Sequence, residues 1–344
     1  MPYCIGTATD WVDAARKLRE YANGNAEPGV TSGFTSGVQV TGGDVWTEET
    51  NGGSQPSLPG SGSATDGEVY LTGPGGGADE IHVQYRTYRS TNLYNWEING
   101  ALGFDDALLY GNQLGVSTSV YYALNNSSMN FWFFVNGRRI MALFQSGTIF
   151  TLMHMGFLRQ YPTANQWPYP LFVSGSVNAS TIPITTNTNA HTCLPDLCDN
   201  GGQIRFADGV WYEVSNFSGT STHSNVRSVW PNSPPIISDP TINVSTHGSS
   251  NVLNPSAIWG SFSGTSVRLS STFTGEKTLW PATVIFNNDS PQGIVCGEVE
   301  GLYTVFGEST LAVGDTINDG TDDYLVFSNC WRTTFDQYFA LKLE

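Results

Sequence analysis

The sequence predicts a mainly β protein, built from antiparallel β-sandwich domains with one short N-terminal helix and Gly/Ser-rich arms. Three observations predict this class: two apolar runs around Asn136-Gly137, strand-like segments on both sides of them, and 38 glycines and 17 prolines that supply turns. The apolar runs lie at 131–135 and 139–144, and Asn and Gly tolerate the positive φ of a type I′ hairpin turn. No helical period of 3.6 residues survives in this stretch, so we predict a β-hairpin.

The predicted helix covers residues 9–23. Thr9 or Asp10 can cap its first turn, and an Asn-Gly pair stops it. Apolar residues that include Trp11 and Leu18 recur every three or four positions, which gives the helix one apolar face. Such a face must be buried, either against the chain's own sheet or against a neighbouring subunit.

The segment 66–175 is predicted to be a β-sandwich core domain of six to eight strands. Residues 68–71, 80–88 and 93–100 are typical strand segments, and 80–88 alternates apolar and polar residues at period two. A further strand is predicted at 148–158, after Ser146-Gly147.

Three other segments complete the predicted organisation. Residues 1–65 combine the N-terminal helix with an extended arm, in which 38–40 and 45–46 are short strands. Residues 176–280 are rich in Ser, Thr and Asn, which is typical of a linker or a long excursion, with extended Pro-containing chain at 223–254. Residues 281–344 are predicted to form a C-terminal β meander that packs with 203–215, and 297–303 resembles a tight meander.

Composition excludes some partners. The chain has 14 Lys and Arg against 30 Asp and Glu, a net charge of −16. This sign argues against nucleic acid and against anionic membranes, because both attract basic surfaces. The first residues lack the basic and apolar regions of a signal peptide, and no run of about 18 apolar residues is present. We therefore expect no nucleic-acid partner and no membrane span.

The five cysteines form no regular framework. Cys193 and Cys198 are close enough in sequence to bridge, but reduced thiols fit the odd count better. His191 lies beside them, which makes this the one cluster with metal-ligating residue types, and Asp196 or Asp199 would be a weak fourth ligand. A surface loop is the simpler interpretation, so we predict no metal and no cofactor.

No catalytic residues are predicted. The segment 315–322 has the oxygen-rich composition of a calcium loop, but it also fits an Asp-Gly turn between two strands, which we prefer. Carboxylates such as Asp105 and Asp106 could belong to a glycosidase pair, but a sequence cannot show the separation that such a pair needs. No nucleophile elbow or phosphate loop is present. The 43 aromatic residues (10 Trp, 15 Tyr and 18 Phe) can stack on sugars, although core and subunit contacts are their commoner use.

Blocks along the whole chain resemble a family of virion structural proteins encoded among the tail and neck genes of tailed bacteriophages. The N-terminal blocks are Gly6-Thr7-Ala8-Thr9-Asp10-Trp11, Lys17-Leu18-Arg19, Gly73-Pro74-Gly75, Asp79-Glu80-Ile81 and Tyr94-Asn95-Trp96. The central blocks are Phe131-Trp132-Phe133, Asn136-Gly137-Arg138-Arg139, Tyr161-Pro162-Thr163 and Trp167-Pro168-Tyr169-Pro170-Leu171. The C-terminal blocks are Gly297-Glu298-Val299-Glu300-Gly301-Leu302-Tyr303, Asp323-Tyr324-Leu325-Val326-Phe327 and Tyr338-Phe339-Ala340-Leu341. Their order carries the resemblance, which is loosest between 176 and 280.

The resemblance implies a non-enzymatic assembly protein of the virion tail region, made in the host cytoplasm. Its partners would be other virion proteins and copies of itself, at a baseplate, tip or neck. The interface candidates are Trp11 and Leu18 on the helix, together with Arg138 and Arg139 beside the hairpin turn. A solvated turn is the alternative for the two arginines.

Three other functions remain open at this point. The first is a receptor-binding or lectin-like adhesion protein that binds a host-surface glycan. The second is a capsid decoration protein. The third is a polysaccharide-degrading enzyme, which would need two carboxylates converging in one cleft.

Overall fold

The chain folds into two β-sheets and one α-helix in the part that the computed structural model describes. The described residues are 2–49, 67–75, 80–90, 93–160, 171–177, 180–185, 193, 202–205, 210–214, 226–229, 277–286, 294–306, 311–328, 330 and 338–343. The mainly β class with antiparallel sheets is confirmed, and so is the single helix near the N-terminus.

The elements follow in the order β1 (Tyr3–Ala8), α1 (Trp11–Ala22), β2 (Phe34–Gly37), a 3-10 helix (Gly42–Asp44), β3 (Thr47–Glu49), β4 (Glu68–Gly73), β5 (Ile81–Ser90), β6 (Leu93–Ala101), β7 (Val120–Leu124), β8 (Met129–Asn136), β9 (Arg139–Ser146) and β10 (Ile149–Phe157). They continue as β11 (Leu171–Ser174), β12 (Gly202–Arg205), β13 (Trp211–Val214), β14 (Val226–Val229), β15 (Thr278–Phe286), β16 (Ile294–Phe306), β17 (Thr316–Asn318), β18 (Asp323–Ser328) and β19 (Tyr338–Leu343). The small sheet has five strands in the order β3-β4-β5-β6-β7. The large sheet has fourteen, in the order β17-β18-β19-β16-β15-β14-β13-β12-β11-β10-β9-β8-β1-β2.

Strands β8 to β10 form the centre of the molecule, because both of their faces are covered. On one face Phe131, Phe133 and Phe144 pack against the small sheet and α1. On the other face Phe134 and Leu143 pack against the C-terminal strands β16, β18 and β19. A strand that is buried on both faces favours apolar residues on both faces, which explains the nearly continuous apolar runs in the sequence.

Helix α1 packs inside its own chain. Asp10 caps it by accepting hydrogen bonds from the backbone N–H groups of Val12 and Asp13, at 2.9 and 2.8 Å. Its apolar face joins the core between the two sheets. The ring nitrogen of Trp96 in β6 donates to the Trp11 carbonyl at 2.9 Å, which ties the helix to the small sheet.

The predicted hairpin is confirmed, but its turn differs from the prediction. Asn136 pairs with Arg139, so the two turn residues are Gly137 and Arg138, and neither has positive φ. The Asn136 side-chain oxygen accepts the N–H groups of Arg138 and Arg139 at 2.9 and 3.1 Å. A type I′ turn was therefore the wrong prediction, because Asn136 acts through its side chain as in an Asx turn.

Other local predictions were also wrong. Strand β1 was not predicted, and the strands expected at 38–40 and 45–46 are replaced by β2 and β3. The tight meander expected at 297–303 lies within the single strand β16, whose pairing with β15 has a bulge between Pro281 and Thr283. Strand β14 lies within the segment that was predicted to be extended chain.

The turn preferred for 315–322 is confirmed. Asp319 accepts the N–H groups of Thr321 and Asp322 at 2.8 Å each, and the Tyr324 hydroxyl at 2.9 Å. Gly320 takes a positive φ of 96° in the same turn. The carboxylate of Asp319 thus serves the β17–β18 connection.

Backbone pairing runs across the predicted domain boundaries. Strand β1 pairs with β8, and strands β11 to β15 connect the central strands to the C-terminal ones. The division into four segments stays a prediction, and most of the arm at 50–66 and of the 176–280 segment lies outside the described residues. Within the described ranges, no helix combines the length and the apolar character needed to cross a membrane.

Candidate functional site

The outer face of the small sheet carries a row of charged and polar side chains. Arg86 Nε donates to Glu97 Oε2 at 2.7 Å, and Ser119 Oγ donates to the other oxygen of Glu97 at 2.6 Å. The Tyr70 hydroxyl donates to Glu68 at 2.9 Å. Ser119 lies just before β7, whereas Glu68, Tyr70, Arg86 and Glu97 alternate along their strands with core residues such as Val69, Tyr85 and Ile98.

The segment 102–119, which we call the cap loop, folds over this face. The Tyr110 hydroxyl donates to the Glu97 carbonyl at 2.8 Å, and the Arg86 guanidinium lies 4.4 Å from the centre of the Tyr110 ring. The ring of Phe104 meets that of Tyr70 edge-on, with centres 5.2 Å apart. A cation over an aromatic face and an edge-on ring pair are both favourable, so the cap loop is fixed to the sheet.

The cap loop is also fixed internally. Gln113 is 3% exposed, and its side-chain oxygen accepts the Asp105 N–H at 2.8 Å. Its side-chain nitrogen donates to the carbonyls of Asp105 and Leu108 at 3.1 and 2.6 Å. These three hydrogen bonds of one buried amide hold the cap loop in one conformation.

Trp211 of the large sheet anchors the far end of the cap loop. Its ring nitrogen donates to the Gly115 carbonyl at 2.8 Å. The indole also lies directly over Gly100, where a Cβ atom would come within 2.5 Å of the ring. Gly100 therefore leaves the space that lets the two sheets and the cap loop meet.

A pocket of about 10 Å³ lies between the cap loop and the small sheet, and its lining includes Tyr70, His82, Gln84 and Phe104. That volume is close to what one water molecule, or one hydroxyl group of a larger ligand, occupies. Gln84 is 1% exposed, and neither atom of its side-chain amide meets a hydrogen-bond partner among the described residues. A buried amide without partners is costly, which marks this pocket as a polar binding position.

The imidazole of His82 lies at the rim of this pocket. Its Nδ1 is 3.1 Å from the Thr72 hydroxyl, and its Nε2 is 3.6 Å from Glu80. Burial lowers the pKa of His82 more than the nearby Glu80 and Glu49 raise it. The ring is therefore neutral at pH 7 and can both donate and accept a hydrogen bond.

Four large apolar side chains on the cap loop and just before β13 are exposed to solvent. We call this set the leucine patch: Leu102, Leu109, Leu114 and Val210, which are 43 to 66% exposed. The Leu102 N–H donates to the Leu114 carbonyl at 2.8 Å, which places the two leucines side by side. Of the six large apolar side chains that are exposed in the described part of the chain, four belong to this patch.

The other two exposed apolar side chains flank β2, the last strand of the large sheet. Val30 is 73% and Val38 is 55% exposed, and Thr35 to Gly37 between them are exposed as well. We call this surface the β2 edge. An edge strand can accept a further strand from another chain.

A buried polar group lies inside the large sheet. His154 is fully buried, and its Nδ1 lies 3.1 Å from the Phe172 carbonyl, so Nδ1 carries the proton and donates it. Burial, followed by the charge of Arg139, lowers the pKa of His154 to about 3. Arg139 is 1% exposed and lies 3.6 Å from Glu300 of β16. This group links β9 and β10 to the C-terminal strands.

The four interface candidates from the sequence lie in different environments. Trp11 and Leu18 are 2% and 0% exposed, and they fill the core, so little of their surface remains for a second chain. Arg139 finds its acidic neighbour in Glu300 of the same chain. Arg138 is exposed, with its guanidinium 5.9 Å from the centre of the Phe157 ring. The role of all four between subunits stays a prediction.

The cap loop was not predicted from the sequence. A set of leucines at 102, 108, 109 and 114, within a stretch that has no strand pattern, was a local indication of it. Gln84 was visible only as a polar position of the predicted strand 80–88. Nothing local indicated that the cap loop would cover it.

Among the residues that the structure describes, no three His, Cys, Asp or Glu side chains come together in a way that could hold a metal ion. The predicted cluster at 191–199 lies outside those residues, except for Cys193. No family model matches this chain, and no curated protein has a significant sequence match to it.

Proposed function

We propose that this chain is a structural subunit of a bacteriophage virion, part of the tail at its baseplate, tip or neck, and that it acts through contacts with other subunits. Two things support the proposal: the ordered sequence blocks that resemble tail and neck proteins, and the leucine patch. The proposal rests mainly on the leucine patch. The role is one of assembly, without a reaction.

The leucine patch is built to stay exposed. The buried amide of Gln113 and the ring of Trp211 hold the cap loop in place, so its leucines cannot turn inward to form a core. A rigid apolar surface in contact with water is unfavourable, and such a surface on a folded protein typically marks an interaction site. These leucines are already about half buried, so covering the exposed part of one of them contributes about 1 kcal/mol.

We infer that the partner on the leucine patch is a second copy of this chain. The net charge of −16 makes two copies repel each other at a distance, so self-association needs an uncharged contact. The patch itself is uncharged, and an apolar surface is complementary to its own copy across a two-fold axis. The charged content of the whole chain is only 13%, which suits interfaces whose centres hold few charges.

Analysis of purified particles tests the virion assignment. Phage particles from the source of this sequence are purified on a density gradient and digested for mass spectrometry. We expect peptides of this chain in several copies per particle, and labelled antibodies at the tail. Labelling of the capsid shell would favour a decoration protein, and absence from the particles would overturn the proposal.

A glycan-binding role is the second candidate, and the Gln84 pocket favours it. The amide of Gln84 and the neutral ring of His82 can both donate and accept hydrogen bonds, as sugar hydroxyls require. Tyr70 and Phe104 supply aromatic surface beside them. The pocket admits one hydroxyl group, so the rest of the sugar would lie outside it.

A glycan array with the purified chain tests this second function. A lectin would bind a defined set of saccharides, and Gln84→Leu, which keeps the side-chain size, would abolish the binding. The matched control is Gln145→Leu, which replaces a Gln in β9 outside the pocket. If the chain binds no saccharide, or if Gln84→Leu binds as well as the control, the glycan role is excluded.

A further inference from the structure

Two cysteines that are far apart in sequence meet in the core between the central strands and the C-terminal strands. The sulfurs of Cys193 and Cys330 lie 3.8 Å apart, although 137 positions separate them along the chain. Both residues are 1% exposed. The sequence allowed a bridge from Cys193 to Cys198 but favoured reduced thiols, and the structure places Cys330 beside Cys193.

Contacts with the neighbouring backbone hold the two sulfurs next to each other. Cys330 pairs with Phe150 of β10 through an isolated antiparallel bridge. Cys193 Sγ lies 3.6 Å from the Phe150 carbonyl and 3.5 Å from the Ser328 carbonyl. The pair therefore sits where the C-terminal strands cross the central strands.

The backbone at Cys330 is unusual. Its φ is +52°, and it is the one non-glycine residue with positive φ in the described ranges. Its N–H donates to the Ser328 carbonyl at 3.0 Å, and its own carbonyl accepts the Ser328 hydroxyl at 3.3 Å. Left-handed backbone at a residue other than Gly, Asn or Asp is uncommon and is usually held by its surroundings.

We propose that Cys193 and Cys330 are a site of disulfide formation, which cross-links the C-terminal strands to the region beside β10. A disulfide has a sulfur–sulfur distance of about 2.05 Å, so closing the gap needs a movement of roughly 2 Å. Rotation about the side-chain bonds of two neighbouring cysteines supplies a movement of that size. The bond would lie inside the core, shielded from reductants.

The reaction is thiol–disulfide exchange with a small disulfide such as oxidised glutathione. One protein thiolate attacks the small disulfide, forms a mixed disulfide and expels one small thiolate. The second protein thiolate attacks the mixed disulfide and expels the other, and the two protons of the protein thiols end on the two small thiols. Two protein thiols are oxidised and one small disulfide is reduced. Because both thiols are buried, the exchange occurs during folding or local opening.

The first test uses the unaltered protein. The chain is refolded in a buffer of oxidised and reduced glutathione, and its peptides are mapped by mass spectrometry without reduction. We expect a peptide that joins Cys193 to Cys330, and a fall from five titratable thiols to three after denaturation. A bridge from Cys193 to Cys198, a bridge to Cys296, or five remaining thiols would overturn the proposal.

The second test measures thermal unfolding with and without reductant. Closing a loop of 137 positions restricts the unfolded chain, and we expect the oxidised protein to melt about 5 °C higher. Cys193→Ser and Cys330→Ser should each abolish that difference. Cys4→Ser is the matched control and should leave the difference unchanged, because Cys4 is equally buried but lies in the core between the two sheets. Equal melting of the oxidised and reduced wild-type proteins would contradict the inferred cross-link.

Discussion

The central strands β8 to β10 and the cap loop are both rich in large apolar residues, but the chain covers them differently. In the central strands, one face is covered by α1 and the small sheet and the other by the C-terminal strands. In the cap loop, the aromatic residues face the small sheet, while Leu102, Leu109 and Leu114 face solvent.

Solvent exposure therefore distinguishes apolar residues that stabilise the fold from apolar residues that do not. The aromatic residues of the central strands lower the free energy of this chain by leaving water when it folds. The leucines of the cap loop stay in water after folding, so the fold of one chain does not account for them. Apolar side chains held outward by buried hydrogen bonds are what an interface between subunits needs.

Replacing a core ring should have the largest effect. Phe144 is 1% exposed, and its ring centre lies 5.5 Å from those of Trp96 and Phe133. Phe144→Ala should reduce the free energy of unfolding by about 3 to 5 kcal/mol, because it removes apolar contacts and leaves a cavity. Leu109→Ala in the cap loop is the control and should change it by less than about 0.5 kcal/mol. Urea unfolding measures the free energy of unfolding of both variants. Equal losses of stability would contradict the difference between the central strands and the cap loop.

Acidification should weaken the central strands through His154. Its pKa is 6.5 in the unfolded chain and about 3 in the folded one, so the unfolded chain binds more protons between these values. Stability is therefore highest above pH 6.5 and falls as the pH drops toward 3, by about 3 kcal/mol at pH 4. His154→Gln should remove this part of the pH dependence.

Urea unfolding of the wild type and of His154→Gln at pH 7 and pH 4 measures this effect. His82→Gln is a useful control, because His82 is only partly buried and its loss should change the pH dependence less. Equal losses of stability in the wild type and in His154→Gln on acidification would show that His154 is not buried in its neutral form.

A methyl group at Gly100 should loosen the cap loop. The added Cβ would lie 2.5 Å from the rigid Trp211 ring and 3.2 Å from Leu171, so the indole must move. We expect Gly100→Ala to reduce the free energy of unfolding by about 1 to 3 kcal/mol and to speed amide exchange in the cap loop. Gly43→Ala is the matched control, since nothing lies within 4 Å of its added Cβ. A stable Gly100→Ala protein with unchanged exchange would show that Trp211 does not anchor the loop.

The sequence predicted elements well where a local pattern decides them. Apolar runs, an Asn-Gly pair and period-two alternation predicted β4, β5, β6, β8, β9 and β10, because each signal lies within a few residues of the strand it predicts. The turn at Gly137 was wrong in detail, since the Asn136 side chain competes with the backbone for the turn N–H groups.

Features that depend on distant residues could not be predicted. Strand β1 is short and contains Gly6 and Ala8, and it exists because it pairs with β8 more than 100 positions away. The cap loop is ordered by Trp211 of β13, Tyr70 of β4 and Arg86 of β5, and none of these strands is adjacent to it in sequence. The exposure of the leucine patch is therefore a property of the folded chain.

Self-association through the leucine patch is the most direct test of the proposed function. Multi-angle light scattering over a concentration series compares the wild type with the double variant Leu102→Ser/Leu114→Ser, and Val38→Ser on the β2 edge serves as the control. We expect the wild type and the control to associate at high concentration, whereas the double variant should stay monomeric and unfold at an unchanged temperature. A wild type that stays monomeric at every concentration, or a double variant that associates like the wild type, would contradict it.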